Sequence, residues 1–133
     1  MTANRSFLYV EDDSMSRQVM DRMITGLSST ITIYEDSAQF AERISALETI
    51  PDAVFLDVQI GPLNGFQMLQ ILREDPRFDA VPIIAMTASV TVSEINELKN
   101  AGFDGLIAKP VRKRIFPELL ARVLAGEAVW YVP

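Results

Sequence analysis

The sequence predicts an α/β fold, a doubly wound parallel sheet with helices on both faces, and three observations carry that prediction. Short β-branched or apolar runs alternate with longer segments of helical period along the chain. The run AVFL before Asp57 is continuously apolar, which suits a strand covered on both faces. Polar residues stop several runs at the same kind of place: Glu11, Asp12 and Asp13 after FLYV, Asp57 after AVFL, Thr87 after IIAM, Lys109 after LIA.

FLYVE reads as the first strand. The segment after it places Val19, Met20, Met23, Ile24 and Leu27 on one stripe, with Asp13 or Ser14 as its cap and Gly26 with the following serines as its stop. TITIYE is the second strand, and Asp36 with Gln39 resembles a capping box ahead of a stripe of Phe40, Ala41, Ile44 and Leu47. Pro51 closes that unit. AVFLD is the third strand, followed by a loop bearing Gly61, Pro62 and Gly65 and by a helix that starts near Gly65 and stops before Pro76. VPIIAMT is the fourth strand, Thr91 with Glu94 a second capping box, and Val92, Ile95 and Leu98 the buried side of a fourth helix that Gly102 ends. Gly105 to Lys109 make the fifth strand. Ile115, Phe116, Leu119, Leu120, Val123 and Leu124 then give the clearest stripe, although Pro117 predicts a first turn that begins late or is distorted. Five such units with right-handed crossovers make a doubly wound sheet.

At 133 residues, with 49% hydrophobic and 23% charged, the chain is one globular domain. No apolar run approaches the roughly 20 residues that span a bilayer, and MTANRS has no basic region ahead of an apolar stretch, so a soluble, cytoplasmic protein is expected. The absence of cysteine excludes disulfides and thiolate catalysis. The absence of histidine removes the usual general base and zinc ligand, so a metal here would be a hard cation on oxygen. A formal charge of -6 argues against direct nucleic-acid binding. Arg112, Lys113 and Arg114 are the local exception, read as a solvated face or as a contact for an acidic partner. Met15, Met20 and Met23 are expected as core filler, with Met15 alternatively open beside the site at the helix start.

In an open parallel sheet the carboxyl ends of the strands converge on one crevice. There Glu11, Asp12 or Asp13 would meet Asp57, and each like-charge pair would cost about 1 to 4 kcal/mol according to the local dielectric. Positive charge must compensate, and a magnesium-type cation fits, because it prefers oxygen and commonly uses one or two carboxylates plus a phosphate. Lys109 offers a second, mobile positive charge and Thr87 a hydroxyl donor. Asp57 ends the most apolar strand, in mid-crevice, and is the natural nucleophile for in-line phosphoryl transfer to a carboxylate.

These residues resemble the receiver domain of two-component response regulators, in the motifs YVEDD, FLDVQIGPLNG, MTAS and AKP, matched in order and spacing from about Ser6 to Gly126. The resemblance implies a flavodoxin- or CheY-like five-stranded sheet in the order 2-1-3-4-5 with five helices. It implies Asp57 as phosphoacceptor, Asp12 as direct ligand of Mg (or Mn), Glu11 as its water-mediated neighbour, and Gln59 as donor of a backbone carbonyl to the metal. Asp13 is then either a third acid or a helix cap. Thr87 is similar to the family's switch hydroxyl and Lys109 to its phosphate-binding lysine; a cis Lys109-Pro110 bond is expected, and Ala88 suits a position that leaves the phosphodonor room.

Two positions depart from the pattern. The family usually carries Tyr or Phe on strand five, three residues before the lysine, as a ring that reports the switch; this chain has Leu106, which puts that route in question. Proline usually stands four residues after the phosphoacceptor, whereas here Gly61 does and Pro62 follows, so the loop should change shape without losing the site.

The implied function is a receiver domain, residues 1-126, that accepts a phosphoryl group from a sensor histidine kinase or histidine phosphotransfer protein and passes a conformational change to a downstream protein target. It would be a phosphoacceptor that assists its own phosphorylation and dephosphorylation, not an enzyme with turnover. One alternative is a receiver-like interaction module with atypical, phosphate-independent switching. Another is a small-molecule phosphotransferase or phosphatase, which the lack of an acid two residues after Asp57 disfavours. Residues 127-133 form a short tail whose Trp130 and Tyr131 either fold back on the domain or make a homodimer contact.

Overall fold

The computed structural model describes residues 2–88 and 90–133; Met1 and Ser89, the last residue of the MTAS run, lie outside them. Six parallel strands form one sheet in the order β2-β1-β3-β4-β5-β6: β1 (Ser6–Val10), β2 (Thr30–Tyr34), β3 (Ala53–Asp57), β4 (Ile83–Met86), β5 (Gly105–Ile107) and β6 (Val129–Tyr131). Among the described residues five α-helices connect them: α1 (Ser14–Gly26), α2 (Phe40–Ser45), α3 (Gly65–Arg73), α4 (Val92–Ala101) and α5 (Phe116–Leu124).

The order of the first five strands is the expected one, and the doubly wound architecture follows from where apolar surface goes. On one face, Leu8, Val10, Val54 and Leu56 pack with Phe40 and Ile44 of α2, Met68, Leu69 and Leu72 of α3, and Leu98 of α4. On the other, Phe7, Tyr9 and Phe55 pack with Met20, Met23 and Ile24 of α1 and with Phe116, Leu120 and Val123 of α5. Every residue of β3 is buried, as the unbroken apolar run requires, whereas β2 is an edge strand with none of its residues fully buried. The ring of Phe55 stands 6.0 Å from Phe7 and 6.3 Å from Phe116, tying the central strand to β1 and α5.

Several expectations are corrected. The sheet has a sixth strand: the tail folds back, and β6 pairs with β5 in the register Gly105↔Val129, Leu106↔Trp130, Ile107↔Tyr131. Asp36 and Gln39 form no capping box, because Gln39 adopts a left-handed conformation (φ 51°) without a side-chain bond, and Asp36 instead accepts from Ala38 N and pairs with Arg43. Ala41 is exposed on α2, whose six residues are too few to bury a full stripe. Val92 is 77% exposed, whereas Ile95 is partly buried against the core and Leu98 is buried in it. Thr91 does cap α4 by accepting from Glu94 N, but its hydroxyl donates to the Glu94 carboxylate, so the reciprocal half of a capping box is replaced. As Pro117 predicts, α5 begins later than the stripe: residues 113–115 form a turn in which Phe116 N donates to Arg112 O at 3.0 Å, Ile115 is the N-cap, and Pro117 sits in the first turn of the helix. Of the methionines, Met20 and Met23 are core and Met15 is exposed.

Candidate functional site

Four strands deliver the site residues from their carboxyl ends. Glu11 follows β1, Asp57 is the last residue of β3, Thr87 follows β4, and Lys109 lies two residues past β5. The parallel order β1-β3-β4-β5 brings these ends side by side, and Lys109 N donates to Thr87 O at 2.9 Å, joining the last two. The Lys109-Pro110 bond is cis, as expected; Gly61-Pro62 is cis as well. At Gly65 the start of α3 presses on the strand end, for a Cβ there would sit 2.8 Å from Val58 Cα and 3.1 Å from Asp57 O. Asn64 caps α3 in a full capping box with Gln67, which the sequence reading left unassigned.

The structure brings Glu11, Asp12 and Asp57 together, with one carboxylate oxygen from each lying within 4.8 Å of the others. Their environments differ. Glu11 is fully buried, Asp57 is 4% exposed and Asp12 is exposed. Lys109 Nζ bridges the buried pair, 2.8 Å from Glu11 Oε1 and 3.7 Å from Asp57 Oδ2. Tyr9 also donates to Glu11 Oε1, at 2.8 Å, and Asp13 N donates to Oε2 at 3.2 Å. Asp57 Oδ1 accepts from Gln59 N at 3.2 Å.

This arrangement pushes the two carboxyl groups apart in acidity. Burial drives the Asp57 carboxyl up to about 7, reinforced by its hydrogen bond with Glu11 and by that residue's charge; Lys109 and the Gln59 N–H offset part of the rise. Burial also opposes charge on Glu11, but hydrogen bonds with Lys109, Asp57 and Tyr9 overcome it and hold that carboxyl below its ordinary range. Burial works against the Lys109 ammonium too, and its bond to Glu11 with the charges of Asp57 and Glu11 raises it nonetheless. The Tyr9 phenol is pushed far up, chiefly by burial and then by the Glu11 charge.

The remaining predicted residues lie around this centre. Thr87 is 4% exposed and, with Phe66, Val90 and Leu98, lines a groove of about 370 Å³ between α3 and α4. Gln59, which also lines this groove, is exposed, and so is Ala88, the residue after Thr87. Asp13 is the N-cap of α1, accepting from Ser16 N and Oγ at 2.8 Å each, which occupies one of its oxygens away from the centre. Leu106 is fully buried, with Ala85 of β4 and Trp130 of β6 as its register partners. Arg112, Lys113 and Arg114 are all exposed. Tyr9 is the residue the sequence reading missed; its two-residue spacing to Glu11 puts both on one side of the chain as it leaves β1, but an aromatic inside an apolar run reads as core. Among the described residues, no helix is long and apolar enough to cross a membrane.

The family model for the response regulator receiver domain matches residues 7–123. Hybrid signal transduction histidine kinase A of Dictyostelium discoideum is 28% identical over 118 residues, 86% of this chain and 5% of that protein. The DNA-binding response regulator MtrA of Mycobacterium tuberculosis is 28% identical over 124 residues, 93% of this chain and 51% of that protein. The chain thus spans from a twentieth to about half of the length of these curated relatives. Among solved structures, the receiver domain of a sensor histidine kinase from Pseudomonas aeruginosa PAO1, with a magnesium ion in its active-site cleft, has a TM-score of 0.80 at 25% identity, covering 92% of this chain and 99% of that one. Chemotaxis response regulator CheY4 of Vibrio cholerae has a TM-score of 0.81 at 20% identity, covering 91% and 99%, a likeness of fold. With residues 7–123 matched, the chain belongs to the response regulator receiver domain family, and its fold is CheY-like.

Proposed function

We propose that Asp57 accepts a phosphoryl group from the phosphohistidine of a partner protein, a sensor histidine kinase or histidine phosphotransfer protein, in a magnesium- or manganese-dependent reaction. The observation that carries this reading is the buried Asp57 carboxylate, set between a second buried acid and a cation, Lys109, that reaches both. The 133 residues contain no histidine, so the donor imidazole lies outside them.

The donor set fits the metal. Three carboxylates within 4.8 Å of one another, facing one ammonium, leave an excess of negative charge on oxygen, which suits a hard divalent cation. Asp12 and Asp57 would hold it directly, Glu11 through water, and Gln59 through its backbone carbonyl. The ion would supply charge for the phosphoryl oxygens. In the transfer, the P–N bond to the donor imidazole breaks as the P–O bond to Asp57 forms, and the leaving imidazole takes up a proton. Lys109, already 3.7 Å from Asp57 Oδ2, moves to a phosphoryl oxygen, and the Thr87 hydroxyl donates to another. Thr87 precedes α4 in the chain and Lys109 follows β5, so the same contacts would carry the change toward a downstream protein target. Ala88 leaves the donor room at the mouth.

Beryllofluoride with magnesium, followed by amide NMR, tests the assignment. Shifts at Thr87, Lys109 and α4 in the unsubstituted chain, absent in Asp57→Asn, are expected. Equal shifts in Asp57→Asn, or none in either protein, would favour an interaction module that does not use phosphate.

A further inference from the structure

We propose that Tyr9 is a positioning residue for the cation site, its hydroxyl aiming the Glu11 carboxylate from inside the core. The inference rests on the reading of Glu11, Asp12 and Asp57 as a metal site and deepens it.

Tyr9 is fully buried in the layer it shares with α1 and α5, among Phe7, Phe55, Met20 and Met86. Phenylalanine would fill nearly the same space there, so packing alone does not call for the hydroxyl. A buried phenol needs a partner, and this one donates to Glu11 Oε1 at 2.8 Å. Strand geometry permits the bond because residues two apart share a face, which makes Tyr9 the neighbour of Glu11 on the inward side.

The two oxygens of Glu11 are divided between different donors. Oε1 receives Tyr9 from within the core and Lys109 from the end of β5, both at 2.8 Å, and Oε2 receives Asp13 N from the cap of α1 at 3.2 Å. A carboxylate gripped on both oxygens keeps one orientation toward Asp12 and Asp57. Lys109 is shared, since Asp57 Oδ2 lies 3.7 Å away, but the Tyr9 hydroxyl is not. Once Lys109 turns to a phosphoryl oxygen, Tyr9 is the side-chain donor that stays on Glu11. Groups that hold a metal-binding carboxylate from behind commonly change metal affinity by 10- to 100-fold when removed.

The test is the binding isotherm of magnesium alone for the full chain, for Tyr9→Phe, for Glu11→Gln and for the double variant, with metal-free melting curves alongside. Tyr9→Phe should fold and bind magnesium about tenfold more weakly. In the Glu11→Gln background the same change should cost less than about twofold, because its route to the metal is gone. Tyr9→Phe binding as tightly as the unsubstituted chain would overturn the inference. So would an equal loss in both backgrounds, which would place the effect in packing. No magnesium binding by the unsubstituted chain would sink the metal reading itself, so the two failures are separable. A second measurement needs no variant: a protected Tyr9 hydroxyl proton in the NMR spectrum should persist at saturating magnesium, and its loss on metal addition would contradict the role.

Discussion

Asp57 and Glu11 are two buried acids in hydrogen-bond contact, and Lys109 settles their competition in favour of charge on Glu11, the nearer of the two. A consequence is a pH dependence of unusual sign. The Asp57 carboxyl is raised in the folded chain to about 7 from an ordinary 3.8. Between those values the folded state keeps a proton that the unfolded state releases, so this group's stabilisation is complete in acid and is lost as pH rises through about 7. Glu11, held below its ordinary value, acts in the opposite sense, but only in more acidic solution. Metal-free protein should therefore lose stability in urea titrations between about pH 5 and pH 7, and saturating magnesium should flatten that decline by occupying the deprotonated site. A metal-free stability that rises over this interval would contradict the assignment of the proton to Asp57.

β6 shows how an element can be specified without a visible pattern. Three residues, Val129 to Tyr131, are too few for a period of two to register, and a Trp and a Tyr after a helix read equally as a surface contact. The specification lies on β5 instead, at Gly105, where a Cβ would meet Val129 O at 2.4 Å and Ile84 Cδ1 at 3.1 Å. Ala108 N donates to Tyr131 O at 3.0 Å, so the added strand also grips the end of β5 next to Lys109. Trp130 lies beside Leu106 in register, with Lys99 Nζ of α4 5.1 Å from its ring centroid. The aromatic surface that Leu106 does not supply is thus brought to the α4 side of the sheet by the next strand. Gly105→Ala should displace β6 and expose Val129, now 1% exposed, at a cost of about 1.5 to 3 kcal/mol. Trp130 is the one tryptophan of the chain, so its emission should shift to the red in that variant. Unchanged emission and stability would show that β6 does not depend on the glycine. By contrast β1, β3, β4 and β5 were legible because each apolar run ends in a polar residue, and β2 by its β-branched run, whereas α2 was only half legible because its left-handed Gln39 cannot be read from residue type.

At the scale of the molecule, the parallel sheet makes a site out of residues 98 positions apart, as the contact of Glu11 with Lys109 shows. That gathering was readable from sequence, since a parallel order places every strand's carboxyl end on one edge. Asp12, Glu11, Asp57, Thr87 and Lys109 all appear as interruptions of apolar runs. Tyr9 does not, because an aromatic inside such a run looks like core, and its hydroxyl bond is visible only once Glu11 turns inward. The account's central claim is that this edge is built to carry a phosphoryl group on Asp57. Its most direct measurement is intact mass after incubation with magnesium and acetyl phosphate, in the unsubstituted chain and in Asp57→Asn. Gain of one phosphoryl group that needs magnesium and disappears in Asp57→Asn is the predicted result; no gain, or an equal gain in the variant, would contradict it.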